Sequence, residues 1–179
     1  MNVDEARSRL AVGLEAIECF VAGIGDEEAE YRPSPDAWCV LDVLGHLLHE
    51  EGADFRTRLR TVIQDPEGPW PPLDPHAAVE AARRGAPSAR ALVERFREER
   101  AVSLAWLATL DAPDLDRAHV ANERRLRAGD LLVAWVAHDL VHLRQLTGVR
   151  LAWWARRAAP YDVGYAGADA VRGREAVDG

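Results

Sequence analysis

Two histidines four residues apart are the part of this sequence best suited to chemistry. His138 and His142 lie in segment 131–146, LLVAWVAHDLVHLRQL, where apolar residues surround them on nearly every side. Residues i and i+4 of an α-helix share one face, so both imidazoles can bind one metal ion without bending the helix. A buried imidazole nitrogen without a partner costs about 1–3 kcal/mol. We therefore expect either a metal ion or a local hydrogen-bond network here.

A second pair, His46 and His49, lies on another predicted helix. Three imidazoles with an open position are typical of a catalytic metal site, whereas a structural site is usually closed by four ligands. At 100° per residue, His49 lies roughly 80° and His46 roughly 140° from Leu41, the centre of the apolar stripe. Periodicity alone therefore slightly favours His49. A weaker apolar flank beside His46, formed by Val43, Leu47 and Ala53, leaves the choice open.

Length and charge restrict the class of protein. A chain of 179 residues predicts one domain, and a net charge of −8 argues against non-specific nucleic-acid binding. The sequence has neither a leader-like start nor an apolar run of about 18 residues, so we expect a soluble cytoplasmic protein without a membrane span. Cys19 and Cys39 form no CxxC pair, and we interpret them as two buried free thiols.

Helical periodicity dominates the sequence, and strand patterns are nearly absent. Five prolines in residues 65–75 predict a crossover loop, followed by a short helix over 76–84. Residues 111–127 are expected to form a loop, and the tail over 158–179 is expected to be loosely ordered. The fold class is therefore all-α, a four-helix bundle within residues 1–157. Its long helices are predicted at Val3–Ala22, Ala37–Gln64, Ser88–Leu110 and Gly129–Arg157.

The segment WCVLDVLGHL over residues 38–47, followed some ninety residues later by HDLVHLRQ over 138–145, resembles the DinB-like superfamily. In that family a tryptophan opens the second helix, and a histidine eight residues later binds a metal together with an H-x3-H pair on the last long helix. The resemblance covers roughly residues 4–151 and implies His46, His138 and His142 as ligands. It also implies an up-down-down-up bundle with a long crossover after helix 2, a divalent metal ion (zinc, nickel or iron) and a homodimer.

Two helix starts depart from the family pattern, because Cys39 and Arg127 stand where a capping residue is usual. A weaker N-cap affects stability rather than function. The expected ligand positions are all retained.

Several other side chains are candidates for a place near the site. Glu50 could orient an imidazole, although an exposed acid is the simpler interpretation, and Gln145 could reach the mouth of the site. Asp139 is expected to be a solvated charge, and His76 and His119 are expected to be surface residues. Trp70 is the best candidate for a mobile cover over the pocket.

These observations lead to a hypothesis about function with open alternatives. An open tri-histidine metal site can lower the pKa of a bound thiol, so transfer of a low-molecular-weight thiol to an electrophile is the leading expectation. Activation of water by the same site would instead give a metal-dependent hydrolase. The rival class is a non-catalytic, metal-binding or stress-related dimeric bundle. The sequence identifies no catalytic acid or base, so enzyme status stays open.

Overall fold

The helices begin and end close to the predicted residues. The computed structural model describes residues 1–70, 72, 74–86, 88–121 and 124–167. Within these, two short helical segments are a π-helix at Glu50–Arg56 and a 3-10 helix at Gly164–Ala166. The α-helices are α1 (Val3–Val21), α2 (Asp26–Glu30), α3 (Val40–His49), α4 (Thr57–Gln64), α5 (Pro75–Gly85), α6 (Ala89–Leu107) and α7 (Ala128–Arg157). Among the described residues, no helix has both the length and the apolar character needed to cross a bilayer.

Helices α3 and α7 lack a conventional N-capping residue, and an acidic side chain further along each helix binds the free backbone N–H instead. The Asp42 carboxylate accepts the backbone N–H of Cys39 at 3.0 Å, and the Asp130 carboxylate accepts that of Arg127 at 3.0 Å. An acid at the third helical position thus satisfies an otherwise unpaired donor and interacts favourably with the helix dipole. Asp42 is also ion-paired with Arg32 at 2.6 Å and Arg83 at 2.8 Å. The start of α3 is therefore fixed from both sides.

Two apolar clusters define the direction of each helix. The upper cluster joins the end of α1 (Ile17, Val21) to the whole of α3, the first half of α6 and the second half of α7. The lower cluster joins the start of α1 (Val3, Leu10) to α4, the end of α6 and the first half of α7. Helices α1 and α7 therefore run from lower to upper cluster, whereas α3–α4 and α6 run the other way. This is an up-down-down-up four-helix bundle, and the predicted fold class is confirmed.

The predicted second helix is not one regular helix. It begins at Val40 rather than Ala37, and the π-helical segment Glu50–Arg56 separates α3 from α4. Just after this segment, the Thr57 hydroxyl donates to the carbonyl of Gly52 at 2.7 Å, five residues back. A π-helix adds a residue to the turn and shifts the faces that follow. In this way Glu50, Glu51 and Phe55 all become buried.

The expectation of a loop over residues 111–127 was wrong in part. Strands β1 (Ala118–Ala121) and β2 (Arg124–Arg127) pair antiparallel, with Ala118 opposite Arg127. Four-residue strands are too short to give a visible alternation in sequence. The C-terminal tail is described up to residue 167, and the prediction of loose order for 168–179 lies outside the described residues.

A buried ion network lies between the two apolar clusters. The Arg100 guanidinium on α6 pairs with Glu51 at 2.8 Å and with Asp139 on α7 at 2.8 Å, and it donates to the carbonyl of Leu10 on α1 at 2.6 Å. The Trp135 indole N–H donates to the second Glu51 oxygen at 2.8 Å. All of these side chains are essentially inaccessible to solvent. One arginine on α6 therefore connects its own helix to the other three long helical stretches of the bundle.

We expect Arg100→Met to lower the free energy of unfolding by roughly 3–5 kcal/mol, because two buried carboxylates would lose their counter-charge. Arg97→Met is the matched control on the same helix. Arg97 pairs with Glu18 and Glu94 but is about half exposed, so its loss should change stability by no more than about 1 kcal/mol. Urea unfolding of both variants measures the difference. Equal losses would contradict the central role given to Arg100.

Candidate metal centre

The structure brings three of the predicted histidines together. The Nε2 atom of His46 on α3 lies 3.2 Å from that of His138 on α7, which in turn lies 3.0 Å from that of His142. One nitrogen from each residue lies within 4.8 Å of the other two. In the described part of the chain, no other group of His, Cys, Asp or Glu clusters in this way.

These separations suit a shared metal ion. Bonds of about 2.0–2.1 Å at tetrahedral angles place two ligand nitrogens about 3.3 Å apart. The observed separations of 3.0 and 3.2 Å are close to that value. Neutral imidazole nitrogens are good ligands for zinc, nickel, copper and iron. The three side chains could therefore hold one divalent ion and leave at least one coordination position open.

The electrostatic environment keeps these imidazoles neutral. Burial and the neighbouring His142 and His49 lower the pKa of His46 to about 4. Burial, with His142, His46 and Arg100 nearby, lowers the pKa of His138 to about 3. Burial also lowers the pKa of His142, against the opposing effects of Gln145 and Asp139. Lone pairs are therefore available for coordination at neutral pH.

Polar groups lie behind two of the rings. The Nδ1–H of His142 donates to the Gln145 side-chain oxygen at 2.8 Å, which leaves the Nε2 lone pair facing the cluster. Glu50 is buried rather than exposed, and its Oε1 lies 3.9 Å from Nδ1 of His46. Burial and the neighbouring Asp54 raise the pKa of Glu50 to about 8.

Aromatic rings border the cluster on two sides. Trp38 meets His46 edge-on with ring centroids 5.1 Å apart, and Phe55 of the π-helical segment meets His138 at 4.9 Å. The sequence pointed to Trp38 through its spacing from His46. It gave Phe55 only as one residue of an apolar stripe, because the π-helix that turns this ring toward His138 has no sequence signature.

A large cavity begins at the histidine cluster. Its volume is about 1030 Å³, and His142 and Gln145 form part of its wall. It extends along α7 to Arg156, whose guanidinium lies 5.5 Å from the centroid of the Tyr31 ring. Trp38 also lines this cavity. The site is thus accessible from one face of the bundle and closed by packed rings on the other.

The other candidate histidines lie outside the cluster. His49 lines a separate small cleft with Arg56 and Arg95, so the slight preference that periodicity gave it over His46 was wrong. The reason is that α3 packs against both α5 and α7, and the stripe centred on Leu41 marks only one of these contacts. His119 was expected at the surface but is buried; its ring stacks on Trp70 at 4.4 Å. The side chain of His76 lies outside the described residues.

Three further expectations are corrected by burial or packing. Asp139 is not a solvated charge, because it is 2% exposed and pairs with Arg100. Trp70 packs against the lower cluster, with Arg58 4.6 Å above its ring, rather than along the cavity described here. Cys39 is buried as predicted, whereas Cys19 is exposed, and both are free thiols.

The comparisons with known proteins give the family and the fold of this chain. The family model of the DinB superfamily matches residues 9–146, most of the bundle. This chain belongs to the DinB superfamily. A solved DinB-like bundle with the same fold is YfiT from Bacillus subtilis, described as a probable metal-dependent hydrolase with an unusual four-helix bundle topology. The two are 17% identical, with a TM-score of 0.72 over 87% of each chain. No curated protein matches the sequence.

The shifted pKa values predict how the stability of the metal-free protein depends on pH. Between pH 6.5 and about 4, His46 and His138 stay neutral in the folded state but take up protons in the unfolded state. Glu50 has the opposite effect, because its raised pKa keeps one proton bound in the folded state that the unfolded state releases. The unfolded state therefore binds about one proton more, and stability should fall by on the order of 1 kcal/mol per pH unit as pH decreases through this window.

Urea unfolding of chelator-treated protein at pH 7.0, 6.0 and 5.0 tests this expectation. The double variant His46→Gln/His138→Gln should no longer lose stability toward pH 5.0, because the two groups that cause the loss are gone and Glu50 acts in the opposite direction, whereas His49→Gln should lose stability like the wild type. Equal stability of the wild type at pH 7.0 and 5.0 would show that these histidines are not held neutral.

Proposed function

We propose that this protein is a metal-dependent enzyme in which His46, His138 and His142 bind one divalent ion, and that it transfers a low-molecular-weight thiol to an electrophile. The observation that carries the proposal is the convergence of three neutral imidazoles at the edge of a cavity of about 1030 Å³. The donor set suits zinc, nickel or iron. An ion in this site would lower the pKa of a bound thiol or water and so supply a nucleophile at neutral pH.

The residues of the chain have distinct parts in this proposal. The three Nε2 atoms hold the ion, and the hydrogen bond from His142 to Gln145 fixes one ring. Phe55 packs against His138, and Trp38 packs against His46 while also lining the cavity. Arg156 and Tyr31 lie at the far end of the cavity, where a guanidinium and a ring face could bind the remote part of a substrate.

The cavity wall favours a thiol over water as the nucleophile. Among the described residues that line the cavity, only Asp36, on the loop before α3, carries a carboxylate that could act as a general base. Hydrolysis benefits from a nearby general base, whereas a thiol with a pKa near 8.5 ionises more easily than water and needs less assistance. Hydrolysis remains the second candidate, because YfiT is described as a probable metal-dependent hydrolase.

His142→Ala tests the metal centre and the reaction together. We expect it to lose bound metal and at least about 100-fold of thiol-transfer rate while the bundle stays folded, since apolar burial stabilises the fold. His49→Ala is the matched control and should retain both. Metal content, thermal midpoint and turnover of an aromatic electrophile with a panel of small thiols are the measurements, with chromogenic esters and amides as hydrolase substrates.

The outcomes separate the candidate functions. Turnover of esters or amides without turnover of thiols would replace transfer by hydrolysis. Tightly bound metal without turnover of either class would favour the non-catalytic binding protein. Thiol-transfer activity retained by the metal-free His142→Ala variant would contradict the metalloenzyme proposal.

We also propose that the protein is a cytoplasmic homodimer that associates through α1 and α7. Val12 on α1 and Val133, Leu140 and Val141 on α7 are each more than half exposed. Exposed apolar side chains on neighbouring helices are typical of a protein interface. Two free thiols are compatible with a reducing compartment.

Light scattering at tens of micromolar should give twice the chain mass of 19.8 kDa. Leu140→Glu should shift the protein toward monomer, because it places a charge in the interface. Ala101→Glu adds the same charge on the exposed face of α6 and should leave the mass unchanged. A wild type that scatters as a monomer would rule the dimer out.

A further inference from the structure

Two buried polar atoms behind the histidine cluster face one another without a hydrogen bond. Nδ1 of His46 and Oε1 of Glu50 are both inaccessible to solvent, and neither has a hydrogen-bond partner among the described residues. They are 3.9 Å apart, beyond hydrogen-bond distance but within that of an ion pair. Buried unpaired polar atoms are rare in native proteins and indicate a missing interaction.

The orientation of the His46 ring determines which interaction is missing. Its Nε2 points at the cluster, so a neutral ring that offers this lone pair carries its proton on Nδ1. Nδ1–H then needs an acceptor, and the nearest carboxylate oxygen is Oε1 of Glu50. An imidazole that binds a metal through one nitrogen commonly donates its other N–H to a carboxylate or carbonyl.

A hydrogen bond of this kind is already present on α7. Nδ1 of His142 has an acceptor three residues later on α7, the Gln145 side chain at 2.8 Å. Glu50 follows His46 by four residues on α3 and the π-helix, so each helix supplies an acceptor from its next turn. The two acceptors differ in chemistry, because one is an amide and the other a carboxyl group.

The surroundings favour a contact between His46 and Glu50. Trp38 packs edge-on against His46, so the ring has little freedom to turn away. Asp54, one turn beyond Glu50, pairs with Arg58 at 2.7 Å and continues the polar row along the π-helical segment. Glu50 is itself 6% exposed, so water does not compete for its oxygen.

From this geometry we propose that Glu50 is a positioning residue for the metal centre, whose carboxyl group accepts the Nδ1–H of His46 and holds Nε2 toward the ion. The inference rests on the tri-histidine metal centre of the proposed function but not on the reaction that it performs. Glu50 touches neither the cavity nor a substrate in this role. It acts through His46 alone.

Zinc affinity measured by chelator competition, without any substrate, tests the proposal. Glu50→Leu removes the acceptor and should weaken zinc binding by about 10–100-fold. Glu50→Gln keeps an acceptor oxygen but replaces the carboxyl group by an amide, and should restore part of that loss. Glu94→Gln, an exposed acid on α6, is the control and should bind zinc like the wild type.

Two further readouts separate positioning from a general structural role. The metal-free Glu50→Gln variant should unfold at the same urea concentration as metal-free wild type or above it, because no hydrogen bond is lost. In the zinc-loaded wild type, a His46 Nδ1–H proton that exchanges slowly with water should be visible by NMR, and it should disappear or exchange rapidly in Glu50→Leu.

Undiminished zinc affinity in Glu50→Leu would overturn the inference. It would also be overturned if the loss of zinc-binding free energy in Glu50→Leu equalled the loss in free energy of unfolding of the metal-free variant. A wild type that binds no zinc, nickel or iron would overturn both this inference and the metal centre. If zinc binding depends on Glu50 but no thiol or ester is turned over, this inference stands and the proposed reaction fails.

Discussion

A single buried arginine organises the bundle. Arg100 pairs with Glu51 and Asp139 and binds the backbone of α1, at the level where the upper apolar cluster ends and the lower one begins. Apolar packing alone leaves the rotation and height of each helix free to shift by a turn. A buried charge cannot tolerate such a shift, because each displaced partner would leave an ion without compensation. Gly13 contributes by its size, since a Cβ at this position would collide with the Asp139 carboxylate.

The histidine cluster depends on this network through α7. Asp139 directly follows His138, so the contact with Arg100 fixes the rotation of α7 and presents His138 and His142 to α3. On the π-helical segment, the neighbouring residues Glu51 and Glu50 contact the ion network and the histidine cluster, respectively. Glu51 bonds to Arg100 and Trp135, and Glu50 faces His46.

The site thus combines a rigid base with an accessible face. Packed rings and the ion network close the cluster toward the core, whereas the cavity along α7 leaves it accessible from the loop before α3. Buried, neutral imidazoles are suited to binding a metal and unsuited to binding protons. A bundle core is a suitable place for such a site, because facing helices position ligands from distant parts of the chain.

The sequence by itself determined the four long helices, the proline-rich crossover and the pairing of His138 with His142, because all of these follow from local periodicity and backbone chemistry. The choice of His46 came from a resemblance, since the angular position of a histidine on α3 does not reveal which neighbour it faces. Only the tertiary structure decided the burial of Asp139, Glu50 and His119, and the π-helix that places Glu50 and Phe55. The physical reason is that the position of a polar side chain depends on partners from other helices. Arg100 lies 39 residues before Asp139, and no local pattern records that contact.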